Sequence, residues 1–118
     1  MAEHIEKGKK SEEIAAEYLK KNGYEILYTN FRYKQKEIDI ISKKDNILVI
    51  VEVKTRSFWS DERPGDIVKS GKQHYLIEAT EAYMMKRDID LEVRFDVIFI
   101  VYKHEEILIE HIEDAFGP

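Results

Sequence analysis

Apolar residues first recur at helical spacing. Ile14, Ala15, Tyr18 and Leu19 fall on one face and predict a helix over residues 8–22, with Ser11 able to cap it. Asn22-Gly23 marks its end, because glycine takes the left-handed conformation that closes a helix. The period then shortens to strand alternation. Three strand-like runs follow, Tyr24–Arg32, Glu37–Ser42 and Ile47–Thr55, and Lys44-Asp45-Asn46 supplies a turn that makes the last two an antiparallel hairpin. Residues 58–65 contain Trp59, Pro64 and Gly65 and read as a loop. Helical spacing returns over Asp66–Arg87, where Ile67, Val68, Tyr75, Leu76, Ala79, Ala82 and Tyr83 form an inward stripe and Gly71 is a weak point. Two more strands, Val93–Tyr102 and Ile107–Ile112, are joined by the polar turn Lys103–Glu106.

The order αβββαββ, without linker or repeat, implies one α/β domain over residues 1–118: a mixed sheet with helices packed on it. Two charges disturb the pattern. On the third strand Val49, Val51 and Val53 point one way, while Leu48, Ile50, Glu52 and Lys54 point the other. On the second, Glu37, Asp39 and Ile41 share a face opposite Ile38 and Ile40. Pairing through the turn brings Asp39 to the level of Glu52. Taken singly, these residues are explained by a strand-end ion pair of Glu52 with Lys54 or Arg56 and by a solvated Asp39. Taken together they are costly, because charges removed from water need compensation and two neighbouring carboxylates repel. A divalent cation relieves both. Asp39, Glu52 and a backbone carbonyl are hard oxygen donors suited to Mg²⁺. Lys54 beside them suits the orientation of an attacking water and the stabilisation of charge on a phosphate. The spacing Asp39…Glu52-Val53-Lys54 is the D-x(n)-E-x-K pattern of PD-(D/E)XK nucleases.

Composition narrows the field. The 118 residues include no cysteine, which excludes disulfides, thiolate metal sites and a cysteine nucleophile. No apolar run approaches the roughly 20 residues of a membrane span. The acidic start Met1-Ala2-Glu3-His4-Ile5-Glu6 lacks signal-peptide features, so a cytoplasmic location is expected. A net charge of −5 argues against a nucleic-acid partner, but its distribution is uneven. Residues 1–72 hold 15 Lys/Arg against 13 Asp/Glu, whereas residues 73–118 hold 4 against 11. The half that carries Glu52 and Lys54 is mildly basic.

The chain resembles the YraN-like family of small endonuclease-like proteins over nearly its whole length. The resemblance rests on Gly8, Glu12, Ala15, Ala16, Tyr18 and Leu19; on Gly23-Tyr24 and Asn30; and on Glu37-Ile38-Asp39. It continues through Val51-Glu52-Val53-Lys54 with Arg56, then Pro64, Val68 and Lys72, then Arg94-Phe95-Asp96-Val97 and Ala115-Phe116. Lys36 stands where the family usually has glycine, and Asp66 where it favours glutamate. The resemblance implies a three-layer restriction-endonuclease-like core of the PD-(D/E)XK superfamily, with Holliday-junction resolvases among its structural relatives. It also implies that Glu12, on the first helix, joins Asp39, Glu52 and the Val53 carbonyl around Mg²⁺ or Mn²⁺. Helix-dipole complementation is the alternative role of Glu12.

The resulting expectation is a metal-dependent DNA endonuclease, acting on structured or branched DNA. The alternative is a non-catalytic DNA-binding or protein-interaction module of the same fold. Glu12, Asp39, Glu52 and Lys54 are the expected catalytic residues. Arg32, Lys34, Lys36, Arg56, Arg63, Lys72 and Gln73 are candidates for nucleic-acid contacts, and Phe58 and Trp59 for base stacking. Symmetric junction cutting would call for a homodimer.

Overall fold

The computed structural model describes residues 2–57 and 68–117, with side chains from Lys9 onward. Helix α1 spans Ala2–Lys21, longer at its start than the sequence spacing predicts. Ser11 therefore does not cap the helix. It is fully buried in the helix interior, where its Oγ accepts from Thr55 Oγ1 at 2.7 Å and lies 3.4 Å from the Tyr102 hydroxyl. The residues before it include Ala2, Glu3, Glu6, Lys7, Lys9 and Lys10, whose propensities favour extending the helix. The C-terminus follows expectation: Gly23 takes φ +87°, and Tyr24 N–H donates to Leu19 O at 2.9 Å.

Three antiparallel strands follow: β1 (Glu25–Tyr33), β2 (Lys36–Lys44) and β3 (Ile47–Ser57). Asp45 and Asn46 both adopt positive φ, 51° and 63°, as a two-residue hairpin turn requires. Helix α2 covers Ser70–Arg87, starting later than predicted. Val68 is buried at helical spacing, but Lys69 at φ −65°, ψ 154° is extended, so Val68 packs from outside the helix. Of the other expected start residues, Asp66 and Ile67 lie outside the described residues. Strands β4 (Glu92–Lys103) and β5 (Glu106–Phe116) complete a five-stranded mixed sheet in the order β1-β2-β3-β4-β5, with β3 and β4 parallel.

Each helix covers one face. Ala15 and Leu19 of α1 pack with Ile40, Val49, Val51, Ile98 and Ile100, while Leu76, Ala79 and Tyr83 of α2 pack with Leu48, Ile50, Val97 and Phe99. Regular alternation would put Ile38 with Ile40. Instead Ile38 and Ile41 both join the α2 side, and Ile40 alone joins the α1 side. The break has a physical origin. Asn30 on β1 adopts φ 53°, and the β1–β2 register of Thr29↔Ile40 and Phe31↔Ile38 sets it at the level of Asp39. A left-handed residue reverses the pleat, and both strands change parity there.

Candidate functional site

The candidate site forms where this pleat reversal meets β3. The β2–β3 ladder runs from Lys44↔Ile47 to Ile40↔Val51 and stops. One residue further along, Asp39 reaches across with its side chain, and its Oδ2 accepts the Val53 N–H at 2.8 Å. A carboxylate thus takes the place of a ladder carbonyl, leaving the two strands joined through an ionisable group. Glu52 sits beside it on the α2 face with only 6% of its surface exposed. Lys54 Nζ lies 3.6 Å from Glu52 Oε1, and Lys72 Nζ, delivered by α2, lies 3.8 Å from Oε2. Both distances are beyond a good hydrogen bond, and Glu52 Oε2 is buried without a hydrogen-bond partner.

This electrostatic arrangement is strained. Burial and the Glu52 charge push the Asp39 carboxyl up to about 8; Glu12 adds to the rise, while the Val53 bond and Lys72 oppose it. This favours the protonated form of Asp39 at neutral pH, with Lys72 opposing. A buried acceptor without a donor is rare and calls for a physical explanation. The donor set fits a hard divalent cation, which needs one or two carboxylates and keeps several waters. The fit is partial for Glu12. Its Oε2 is held by Asn30 Nδ2 at 3.0 Å, and among the described residues no three Asp, Glu or His side chains form a closed metal cluster. The Glu12 charge is near enough to add to the rise at Asp39, although α1 covers the face of the sheet opposite Glu52.

The remaining candidates distribute around it. Lys36 and Lys72 both place their ammonium groups over the Tyr75 ring, at 5.6 and 5.4 Å from its centroid, and the Tyr75 hydroxyl is anchored on Tyr33 O at 2.8 Å. Tyr75 thereby lies under two cations, one of them the Lys72 beside Glu52, a role that its place in an apolar stripe concealed. Lys34 is paired with Glu78 at 2.8 Å and Arg32 with Glu37 at 3.4 Å, both on the exposed β1–β2 hairpin. Arg56 donates to Thr55 O, and Gln73 Nε2 donates to Val68 O at 2.6 Å, holding the entry to α2. Phe58, Trp59 and Arg63 lie outside the described residues. Asn30 entered the sequence reading only as one of the residues of the family resemblance, with no role assigned; its contact with Glu12 places it beside the site.

A second polar cluster explains Arg94-Phe95-Asp96-Val97. Asp96 is fully buried, accepting from Arg94 Nε and Nη2 at 2.9 Å each and from Asp114 N–H at 3.0 Å, with His111 Nε2 at 2.7 Å. Burial disfavours its charge, but the His111, Arg94 and Asp114 bonds prevail and hold the carboxyl below its ordinary value. The cluster ties β4 to β5 and, through Tyr18 and Tyr24, to the end of α1.

With this geometry in view, the family model for UPF0102, an uncharacterised protein family, matches residues 11–100. The chain belongs to the UPF0102 family. A UPF0102 protein of Flavobacterium psychrophilum is 50% identical over 116 residues, covering 98% of each chain. Others from Christiangramia forsetii and Flavobacterium johnsoniae are 48% and 49% identical, again over 98% of each chain. The match spans α1 from Ser11, both carboxylate-bearing strands, α2 and most of β4, so every residue of the candidate site lies inside it. Among the described residues no helix is long and apolar enough to cross a membrane.

Proposed function

We propose that this UPF0102 protein is a Mg²⁺- or Mn²⁺-dependent DNA endonuclease on a PD-(D/E)XK, restriction-endonuclease-like scaffold. The observation that carries the proposal is the buried Glu52 oxygen without a donor, beside an Asp39 carboxyl forced to hold its proton. Asp39, Glu52 and the Val53 carbonyl would hold the metal, with Glu12 completing the set on leaving Asn30. The bound ion would supply a water acidic enough to attack a phosphodiester at neutral pH. Lys54 would orient that water and offset charge on the phosphate; Lys72 balances Glu52 and, with Lys36, offers phosphate contacts. Branched DNA is the favoured substrate class, since so small a domain has little surface with which to read a long sequence.

Cleavage of linear, flapped and four-way-junction DNA with Mg²⁺ or Mn²⁺ tests this. Wild type should cut, while Asp39→Ala and Lys54→Ala should lose at least about a hundredfold in rate, the usual cost of a missing charge-stabilising group. Equal cutting by all three proteins sinks the assignment. The engagement of Glu12 by Asn30 favours one rival, a DNA-binding module without turnover. It predicts salt-dependent DNA binding that Asp39→Ala leaves unchanged, and no cutting.

A further inference from the structure

The two sheet edges are treated differently by this sequence. On β1 the edge is interrupted twice, by a register shift between Ile26 and Tyr28 and by Asn30 at φ 53°, and such irregularities deter further strand pairing. On β5 the matching irregularities, a register shift beyond Ile112 and Asp114 at φ 52°, are confined to its C-terminal end; from Glu106 to Ile112 the register with β4 is unbroken, so that part of the outer edge presents a regular row of backbone donors and acceptors. No strand pairs with that edge among the described residues. The side chains are open as well. Ile107, Leu108 and Ile109 are 40%, 42% and 39% exposed. Their partners on β4 are Tyr102, Val101 and Ile100, so these three consecutive apolar residues alternate between both faces of the sheet. Beside Ile109 an open groove of about 490 Å³ runs along α1; Ile14 and Tyr18 line it together with Glu13, Glu17, Lys10 and Lys21, so its own charge is balanced and the acidic bias lies on β5. Exposed carboxylates flank the run at Glu105, Glu106 and Glu110.

This charge decides between occupants. In a twofold pairing of β5 with a second copy centred on Leu108, Glu106 would face Glu110, and like charges directly opposite are destabilising. DNA is repelled by the same carboxylates. A cationic extended chain satisfies all three features: its backbone pairs with the edge, its apolar residues cover Ile107–Ile109, and its ammonium or guanidinium groups meet the glutamates.

We propose that the β5 edge is a docking strand for a partner protein, which adds a strand of alternating basic and apolar residues to the sheet. The acidic second half of the chain then has a purpose separate from the candidate site. It recruits a cationic protein on one edge and leaves the mildly basic half for the other ligand.

The probe is a synthetic nine-residue peptide alternating lysine with valine or isoleucine, titrated into the full chain without DNA or metal. Binding is read by calorimetry, and hydrogen exchange of the β5 amides is followed by NMR. The expected result is saturable binding with new protection of alternate β5 amides. A peptide N-methylated at alternate residues should fail to bind, and Glu106→Lys/Glu110→Lys should weaken binding about tenfold, the worth of a few exposed ion pairs. Equal binding of the N-methylated peptide or of polylysine, without β5 protection, overturns the proposal in favour of diffuse electrostatics. Concentration-dependent protection of β5 without peptide overturns it in favour of a second copy. The absence of binding also overturns it. None of these readouts depends on cleavage, so each outcome is independent of the proposed nuclease activity.

Discussion

Replacing Asp39 with asparagine should stabilise the protein while abolishing its metal response. The folded carboxyl titrates near 8, against an ordinary value of 3.8, because burial and Glu52 disfavour its charge. In the unfolded chain Asp39 is ionised at neutral pH; in the folded chain it must take up a proton. The folded state therefore binds more protons between the two values, and wild-type stability falls as pH rises from about 4 to about 8. At pH 7 this uptake sets an upper bound of roughly 4 kcal/mol, at about 1.4 kcal/mol per pH unit. Relaxation and water entry reduce the recoverable part to about 1–3 kcal/mol. Asparagine resembles the protonated acid: its Oδ1 can keep the Val53 bond, and its Nδ2 can donate to the unpartnered Glu52 oxygen. Urea denaturation in EDTA should show Asp39→Asn more stable at pH 7, with a smaller advantage at pH 5. Added Mn²⁺ should then raise wild-type stability, by about 2.7 kcal/mol at a hundred times its dissociation constant, and leave the variant unmoved. A variant less stable than wild type at pH 7 refutes the reasoning, as does an advantage that is the same at pH 5 and pH 8.

Other consequences are open to the same kind of measurement. Asp96→Ala removes two charged hydrogen bonds from Arg94, which keeps only Glu113 and Tyr24, and should cost about 2–3 kcal/mol in urea denaturation. Because the folded Asp96 carboxyl lies below its ordinary value of 3.8, its contribution is complete in wild type above about pH 5 and is lost as pH falls further. Asn30→Gly keeps the positive φ but releases Glu12, whereas Asn30→Ala adds backbone strain of about 1 kcal/mol. Both variants should change Mn²⁺ affinity in calorimetry, and only the second should melt measurably earlier. Ser11→Ala removes the buried acceptor of the Thr55 hydroxyl and should lower stability by about 1–2 kcal/mol, with no effect on metal binding.

The element order and the β2–β3 hairpin were legible because they depend on local chemistry: apolar period, Asn22-Gly23, and Asp45-Asn46. The convergence of Asp39 with Glu52 followed from counting residues back from that turn. What alternation could not supply was the pleat reversal at Asn30, since one residue's φ is not encoded in a period. It misplaced Ile38 and hid the means by which Asp39 reaches Val53. Ser11 misled for a related reason: serine serves equally as a cap or as a buried partner, and Thr55 and Tyr102, which decide the matter, are 44 and 91 residues away. The Arg94–Asp96–His111 cluster was equally remote, because its members meet only once β4 and β5 have paired.

The parallel register of β3 with β4 also governs how the chain can assemble. From Ile47↔Glu92 to Ser57↔Tyr102, every pair joins residues 45 positions apart. The first helix and three strands can associate through short hairpins, but the central strand gains its second neighbour only after α2 and most of β4 have been synthesised. Until then one backbone edge of Leu48–Val51 stays open, in a stretch that later becomes fully buried. Non-local pairing of this kind slows folding and exposes sticky edges in transit. A nascent chain stalled before residue 92 is thus the form of this protein most prone to aggregate, and its safe passage depends on how quickly the ribosome delivers the fourth strand.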